Sequence, residues 1–328
     1  RCTGYVKQVQ EILHAAAGLR GEAQPGEMIS GEIWSQLFTA PETDIPSDGD
    51  APTAVRVLPK VVIVPETEKW KTVGKSEPKL DAVKLVQGKP AFTADIEKRD
   101  MLYAKVLYSP VAHANITEID ASKARALEGV AAVLTHKDIP RVVYSTAGQS
   151  DPIPGPLDMF SLDNKVRYVG DRVAFVAAET AEIAEQALKL IEVEYEELPA
   201  IIDLGDALDN EIKIHDEPEF VDFADSDASR NLAAEIRIDI GDVEAGFAEA
   251  DHIFEGEYEV PKVQQAHIEP HVVVTYWDED DRMVIRTSTQ VPFHARRILA
   301  PVLGLPIKRI RVVKPRIGGG FGNKQEVL

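Results

Sequence analysis

Near its end the chain reads RIGGGFGNKQ, with Gly318, Gly319, Gly320 and Gly322 around Phe321. Glycine runs lose much backbone entropy on folding, so they mark main chain that bends unusually or approaches a partner closely. Such a loop can offer bare N–H groups to an anionic, oxygen-rich ligand. The common phosphate-binding spacings are absent. A G-x-G-x-x-G pattern begun at Gly318 needs glycine where Asn323 stands, and Lys324 is followed by Gln325 where a P-loop needs Ser or Thr. A tight turn without a ligand is the alternative. Upstream, His267, Glu269 and His271 in QQAHIEPH are spaced by two, which on a strand turns them to one face. They read as a metal triad or as structural groups, and the structural reading is adopted. Cys2 precedes a helical pattern whose positive end would stabilise a thiolate, although a lone cysteine also serves as a small hydrophobe.

The elements that must position these residues are a strand, RMVIRTST, a helix, PFHARRILAPVLG, and a second strand, KRIRVVKP. Pro292 suits a first helical turn and Gly304 an end. If the two strands are parallel neighbours, Gln290, the helix N-terminus and Gly318–Gly322 emerge at one rim. HVVVTYW would pair with RMVIRTST through a solvated acidic turn at Asp278–Asp281. AAEIRIDIG and HIFEGEYEVPKV alternate as strands do, with a short helix in DVEAGFAEA between them. Arg296, Arg297, Lys308, Arg309 and Arg311 form a basic cluster that would meet an anionic group or face solvent, and His294 reads as packing or surface.

Between residues 81 and 206 strand patterns (MLYAKVLYSP, ANITEID, VAAVLTH, VRYVGDRVAFVAAE, EVEYEELPAI) enclose two helices, ASKARALE and TAEIAEQALKLI. That makes a mixed α/β (α+β) unit with helices on one side, broken by a Pro/Gly-rich excursion that contains Gln149, for which no role is assigned. Residues 1–18 read as an amphipathic helix, 19–80 as a connector, 207–230 as a connecting segment and 231–328 as a third unit.

The totals fit two or three globular units: 328 residues, 44% hydrophobic. Lys and Arg number 36 against 55 Asp and Glu, a formal charge of −19, which disfavours nucleic acid and anionic membrane surfaces. No apolar run reaches the ~18 residues of a membrane span. A single cysteine allows no internal disulfide, so a soluble cytoplasmic protein is expected.

Three stretches in order, RCTGYVKQVQEIL, then SPVAHANITEIDASKARALEGVAAVLTHKDIP with VRYVGDRVAFVAAETAEIAEQALKLIEVEYEELPAII, then IRTSTQ, LGLPIKRIRV and IGGGFGNKQ, resemble the molybdenum hydroxylases, the family of xanthine dehydrogenase and aldehyde oxidase. The resemblance implies that 1–18 ends a helical [2Fe–2S] domain, 81–206 is an α/β hammerhead domain, and 231–328 is a truncated N-terminal part of a molybdopterin-binding domain. It implies a metal held by the dithiolene of molybdopterin, with electrons leaving through [2Fe–2S] clusters. Gln290 would hydrogen-bond an oxygen ligand of molybdenum, and Gly319, Gly320, Phe321 and Gly322 would bring N–H groups and an aromatic edge to it. Phe321 reads equally as a core anchor of the loop. Cys2 would be one of four cluster ligands, the other three lying outside this chain. The general-base glutamate and the partners that brace the glycine loop would lie beyond Leu328, making the chain an internal piece of a longer enzyme. Gln325 takes the place where vertebrate-type purine enzymes carry a glutamate, so it could hydrogen-bond a heterocycle without supplying charge. Purines or related N-heterocycles are the expected substrates. An aldehyde is one alternative, and a non-catalytic or split scaffold is another. With no flavin-sized domain between the first two units, the chain resembles fused iron–sulfur/molybdenum chains, which either dispense with flavin or take FAD from another subunit, and the full-length chains are expected to be oligomeric.

Overall fold

A computed structural model describes residues 71–72, 75–146, 155–223, 225–238 and 240–327. The expected N-terminal helix with Cys2, most of the 19–80 connector and Gln149 lie outside the described residues. The chain divides into two compact units, residues 1–82 and 83–328. The second carries every strand found among the described residues.

Its first half builds two small sheets. Strands β1 (Tyr103–Tyr108), β2 (Ala114–Asp120) and β3 (Val130–Thr135) come first, with helix α1 (Ser122–Arg125) between the last two. After the excursion follow β4 (Lys165–Val166), β5 (Arg172–Ala178), helix α2 (Ala181–Leu188) and β6 (Glu192–Glu197). One sheet has the order β1-β5-β3 and the other β4-β2-β6, all antiparallel. Strand β5, RVAFVAA, is apolar throughout after Arg172, as suits a central strand flanked on both edges and largely buried. Thr180 caps α2 by accepting from Ile183 N (3.2 Å), and Ala184 and Ala187 are small enough to bring that helix flat onto the core. Helix α1 is a single turn, shorter than its pattern suggested, with Asp120 Oδ1 accepting from Ser122 N (2.8 Å).

The segment 207–230 is more than a connection. Arg167 donates to Asp163 Oδ2 (2.9 Å) and pairs with Glu217, while Lys165 reaches Asp216 (2.6 Å). Arg141 pairs with Asp163 and reaches Glu219 (3.1 Å). Leu157 bridges Val221, and Asn231 donates to Ala207 O and Ile212 O, both at 2.9 Å. A strap of alternating acids is thus riveted to the basic edge around β4.

The second half contains helix α3 (Val243–Glu249), capped by Asp242, then β7 (Val273–Trp277), β8 (Met283–Thr287), helix α4 (Pro292–Val302) and β9 (Ile310–Val313). Strands β7 and β8 are antiparallel, and β8 and β9 are parallel with α4 crossing between them, which is the expected β–loop–α–β unit. Gly304 takes the left-handed conformation (φ 62°) that ends α4. Two expectations fail. AAEIRIDIG and HIFEGEYEVPKV form no strand among the described residues, and Ile236, Ile238, Phe254 and Tyr258 stay exposed. Alternation yields a strand only where a neighbour supplies ladder hydrogen bonds and a face to bury, and none of the described residues does so here. The acidic turn is also not simply solvated. Asp278 accepts from the N–H groups of Asp280 and Arg282, and Arg282 and Arg309 pair with Asp280 and Asp281.

The two halves share a core. Tyr144 and Met159, at the base of the excursion, pack with Ala295, Ile298, Leu299 and Val302 of α4, Val312 of β9, and Val327.

Candidate functional site

The end of β8 turns at Ser288 and Thr289, both buried, and delivers Gln290 one residue before α4's N-cap, Val291. Thr289 Oγ1 accepts from Val291 N (3.0 Å), which fixes the turn. No side chain caps α4, so its first-turn N–H groups remain available at this rim. β9 then carries the chain back, and Arg316 pairs with Phe92 in a parallel bridge, with Arg316 N donating to Ala91 O (3.0 Å). The glycine loop starts there.

Three groups define its shape. Gln290 Oε1 accepts from Gly322 N (3.1 Å) and Lys324 N (3.2 Å), while Gln290 N donates to Lys324 O (2.7 Å). The loop passes so close that a Cβ on Gly320 would lie 2.5 Å from Gln290 Oε1. Two N–H donors on the oxygen settle which end of the amide is which, leaving the Nε2 donors directed away from the loop. Opposite Gln290, Glu269 Oε2 accepts from Gly318 N (2.8 Å) and from Lys324 Nζ (2.9 Å). The Lys324 side chain is 0% exposed and that of Glu269 10%. Lastly, His267 donates through Nδ1 to Glu269 O (2.6 Å) and accepts at Nε2 from Asn323 Nδ2 (3.1 Å), and His271 Nε2 donates to Asn323 O (2.8 Å).

His267, Glu269 and His271 therefore do come together, as clasps on the loop. They lie on irregular chain and not on a strand, and no group of three metal-ligating side chains occurs among the described residues. The expectation that the loop must wait for later chain to brace it is overturned, since residues 267–290 and 91–92 already hold it. Phe321 is not a core anchor. It is 59% exposed, with φ 53°, a conformation in which non-glycine residues are uncommon. Gln325 is half-buried on the loop's return, and Val327 N donates to Thr146 O (3.1 Å) as the chain leaves. Of the basic cluster, Arg296 binds Ile307 O and Ile310 O and Arg309 binds the β7–β8 turn, so both are structural. His294 is half-buried on α4.

Among the described residues nothing accepts from the N–H groups of Gly319, Gly320 and Phe321 or from Gln290 Nε2. The rim thus presents free donors, while the Glu269 carboxylate is engaged by Gly318 N and Lys324 Nζ, and such donors suit oxo and phosphate oxygens.

Two family models match the chain: one described as aldehyde oxidase and xanthine dehydrogenase, a/b hammerhead domain, over residues 87–199, and one described as molybdopterin cofactor-binding domain, over 224–328. The chain belongs to the molybdenum hydroxylase family. Within it, the chain is 39% identical over 321 residues to the probable hypoxanthine oxidase XdhD of Escherichia coli (strain K12), covering 90% of this chain and 33% of that one. It is 34% identical over 260 residues to the nicotinate dehydrogenase large molybdopterin subunit of Eubacterium barkeri, covering 79% and 57%. Among solved structures, the aldehyde oxidoreductase from Desulfovibrio desulfuricans superposes with a TM-score of 0.64 at 28% identity, covering 98% of this chain and 32% of that one. This molybdenum hydroxylase chain thus spans a third of the length of its Escherichia coli relative. The residues matched by the molybdopterin cofactor-binding model, 224–328, include Gln290 and the whole glycine loop, and the N–H groups of Gly319, Gly320 and Phe321, unpaired among the described residues, have the donor chemistry that an oxygen-rich cofactor requires.

Sequence reasoning missed Lys324 as a buried hub and Glu269 as its partner. The only signal was Glu269 flanked by two histidines, and nothing local ties it to a residue 55 positions on.

Proposed function

We propose that this chain forms part of the molybdopterin site of an enzyme that oxidatively hydroxylates an electron-poor carbon of a purine or related N-heterocycle, using oxygen from water. The observation that carries the reading is the amide of Gln290, pinned through Oε1 by two loop N–H groups, beside three further N–H groups without an acceptor among the described residues. When bound, molybdopterin supplies the oxygen-transfer and electron-accepting chemistry. The chain's own residues bind and orient. Gln290 Nε2 and the N–H groups of Gly319–Phe321 hold oxygen ligands, and the exposed Phe321 ring limits access at the loop's crest. Gln325 orients the heterocycle by hydrogen bonding without charge, and no acidic residue of this chain is assigned as general base. Residues 81–206 form the hammerhead and 231–328 the cofactor-binding part, with 1–18, including Cys2, contributing to a [2Fe–2S] domain in the full-length cytoplasmic enzyme and FAD carried by another subunit of an oligomer. Two relatives whose names carry N-heterocycles, hypoxanthine and nicotinate, support the substrate class. The superposition on an aldehyde oxidoreductase keeps an aldehyde as the second reading. Incubating the full-length enzyme with hypoxanthine, nicotinate and an aromatic aldehyde in 18O-labelled water separates them. Label in a hydroxylated heterocycle is the expected result, and turnover of the aldehyde alone would sink the heterocycle reading.

A further inference from the structure

Seven residues, Gly318 to Lys324, make the glycine loop, and its two ends meet on one oxygen. Glu269 Oε2 takes both Gly318 N and Lys324 Nζ, while Lys324's own N–H and carbonyl bind Gln290 Oε1 and Gln290 N. Thr289 Oγ1, beside Gln290, donates to the same carbonyl (3.3 Å). Lys324 is fully buried, so its ammonium has given up water for one carboxylate, and the second oxygen of that carboxylate, Oε1, is buried with no partner among the described residues. Burying an ion pair of this kind adds little to stability alone, since apolar side chains of equal volume do as well or better. What the pair secures is geometry. The ammonium cannot leave Glu269 without exposing a buried charge, and the backbone attached to it cannot move without releasing Gln290.

We infer that Glu269 and Lys324 are positioning residues that lock the Gln290 amide, and with it the free N–H groups of the loop, in the orientation that receives the cofactor. The inference rests on the proposed function for its consequence, though its geometry stands without it. Removing a group that orients a metal's immediate neighbours typically lowers activity 10- to 100-fold.

The test uses the full-length protein isolated with its cofactor. Glu269→Gln retains an acceptor for Gly318 N but removes the charge that holds Lys324. It is expected to lower kcat about 10- to 100-fold with KM within about twofold, and to speed amide exchange at Gly322 and Lys324 at least roughly tenfold as those donors lose a fixed Oε1. In a Gln290→Ala background the same substitution should change kcat less than about twofold, because its route runs through Gln290. Lys324→Gln should reproduce the pattern. Independent, multiplying losses from Glu269→Gln and Gln290→Ala, or unchanged exchange at Gly322 and Lys324, would overturn the inference. If neither variant folds, the full-length wild-type protein freed of its cofactor decides: Gly318, Gly322 and Lys324 amides must exchange at least about tenfold more slowly than Gly319 and Phe321. The exchange readings need no molybdenum. An enzyme that proves to lack the metal would refute the proposed function, while the exchange rates would still decide whether Glu269 and Lys324 lock the amide.

Discussion

Gly320 lies so near Gln290 that even one methyl group has no room. The Cβ position falls 2.5 Å from Oε1 and 2.8 Å from Cδ, and the amide is not free to swing aside because Gly322 N and Lys324 N hold it. Gly320→Ala is therefore expected to destabilise by about 1–3 kcal/mol through overpacking and displaced hydrogen bonds, measured by denaturant unfolding, and to reduce molybdenum retention. Phe321 gives a contrasting case. Its ring is largely exposed and its backbone left-handed, so Phe321→Gly should leave stability within about 1 kcal/mol of the parent, whereas a core phenylalanine would cost about 3–5 kcal/mol. A loss of the larger size would return Phe321 to the core. At this scale the glycine run itself was legible as unusual backbone, while Gln290 was singled out by its place at the end of a strand and by the family resemblance. The sequence hid Lys324, whose burial depends on a carboxylate far away in the chain.

At the scale of elements, the strap over β4 concentrates charge where the sequence suggested only a link. The side chains of Arg167 and Asp163 are 8% and 7% exposed, and Arg167 also pairs with Glu217. Arg167→Ala removes one of two cations from Asp163, which keeps Arg141, and the nearer of two from Glu217, which keeps Lys165 at 3.6 Å, and is expected to lower unfolding free energy by about 1–3 kcal/mol. A change under about 1 kcal/mol would show that the network is solvated and weak. His215, a residue of this strap set edge-on against Phe220 (4.9 Å), has its pKa depressed to about 4 by burial and then by Arg167 and Lys165. The folded chain keeps it neutral while the unfolded chain takes up a proton near pH 6.5, so stability falls as pH drops from about 6.5 to about 4. Comparing urea midpoints of wild type and His215→Gln across that window checks this, and the variant should lose part of the slope. Elements with strong local patterns were legible: β1 to β3, α2, the β7–β8 hairpin and the parallel β8–α4–β9 unit all follow from period, caps and turn residues. AAEIRIDIG and HIFEGEYEVPKV were not, because alternation records only the capacity to pair, and pairing is decided by chain elsewhere.

Across the whole second unit, the hammerhead half grips both ends of the glycine loop. Phe92 bridges Arg316 where the loop begins, and Thr146 O accepts from Val327 N where it ends, above the shared core of Tyr144, Met159 and α4. The loop is thus clasped from within its own half by His267, Glu269, His271 and Gln290 and tied to the hammerhead half just outside its two ends. The central claim is that this rim of N–H donors receives molybdopterin. Its most direct test is the molybdenum and pterin content, per polypeptide, of the natively expressed full-length protein. About one molybdenum and one pterin per chain, both lost together in Gly320→Ala, is the result expected from the close approach of the loop to Gln290. A folded protein carrying neither would contradict the account.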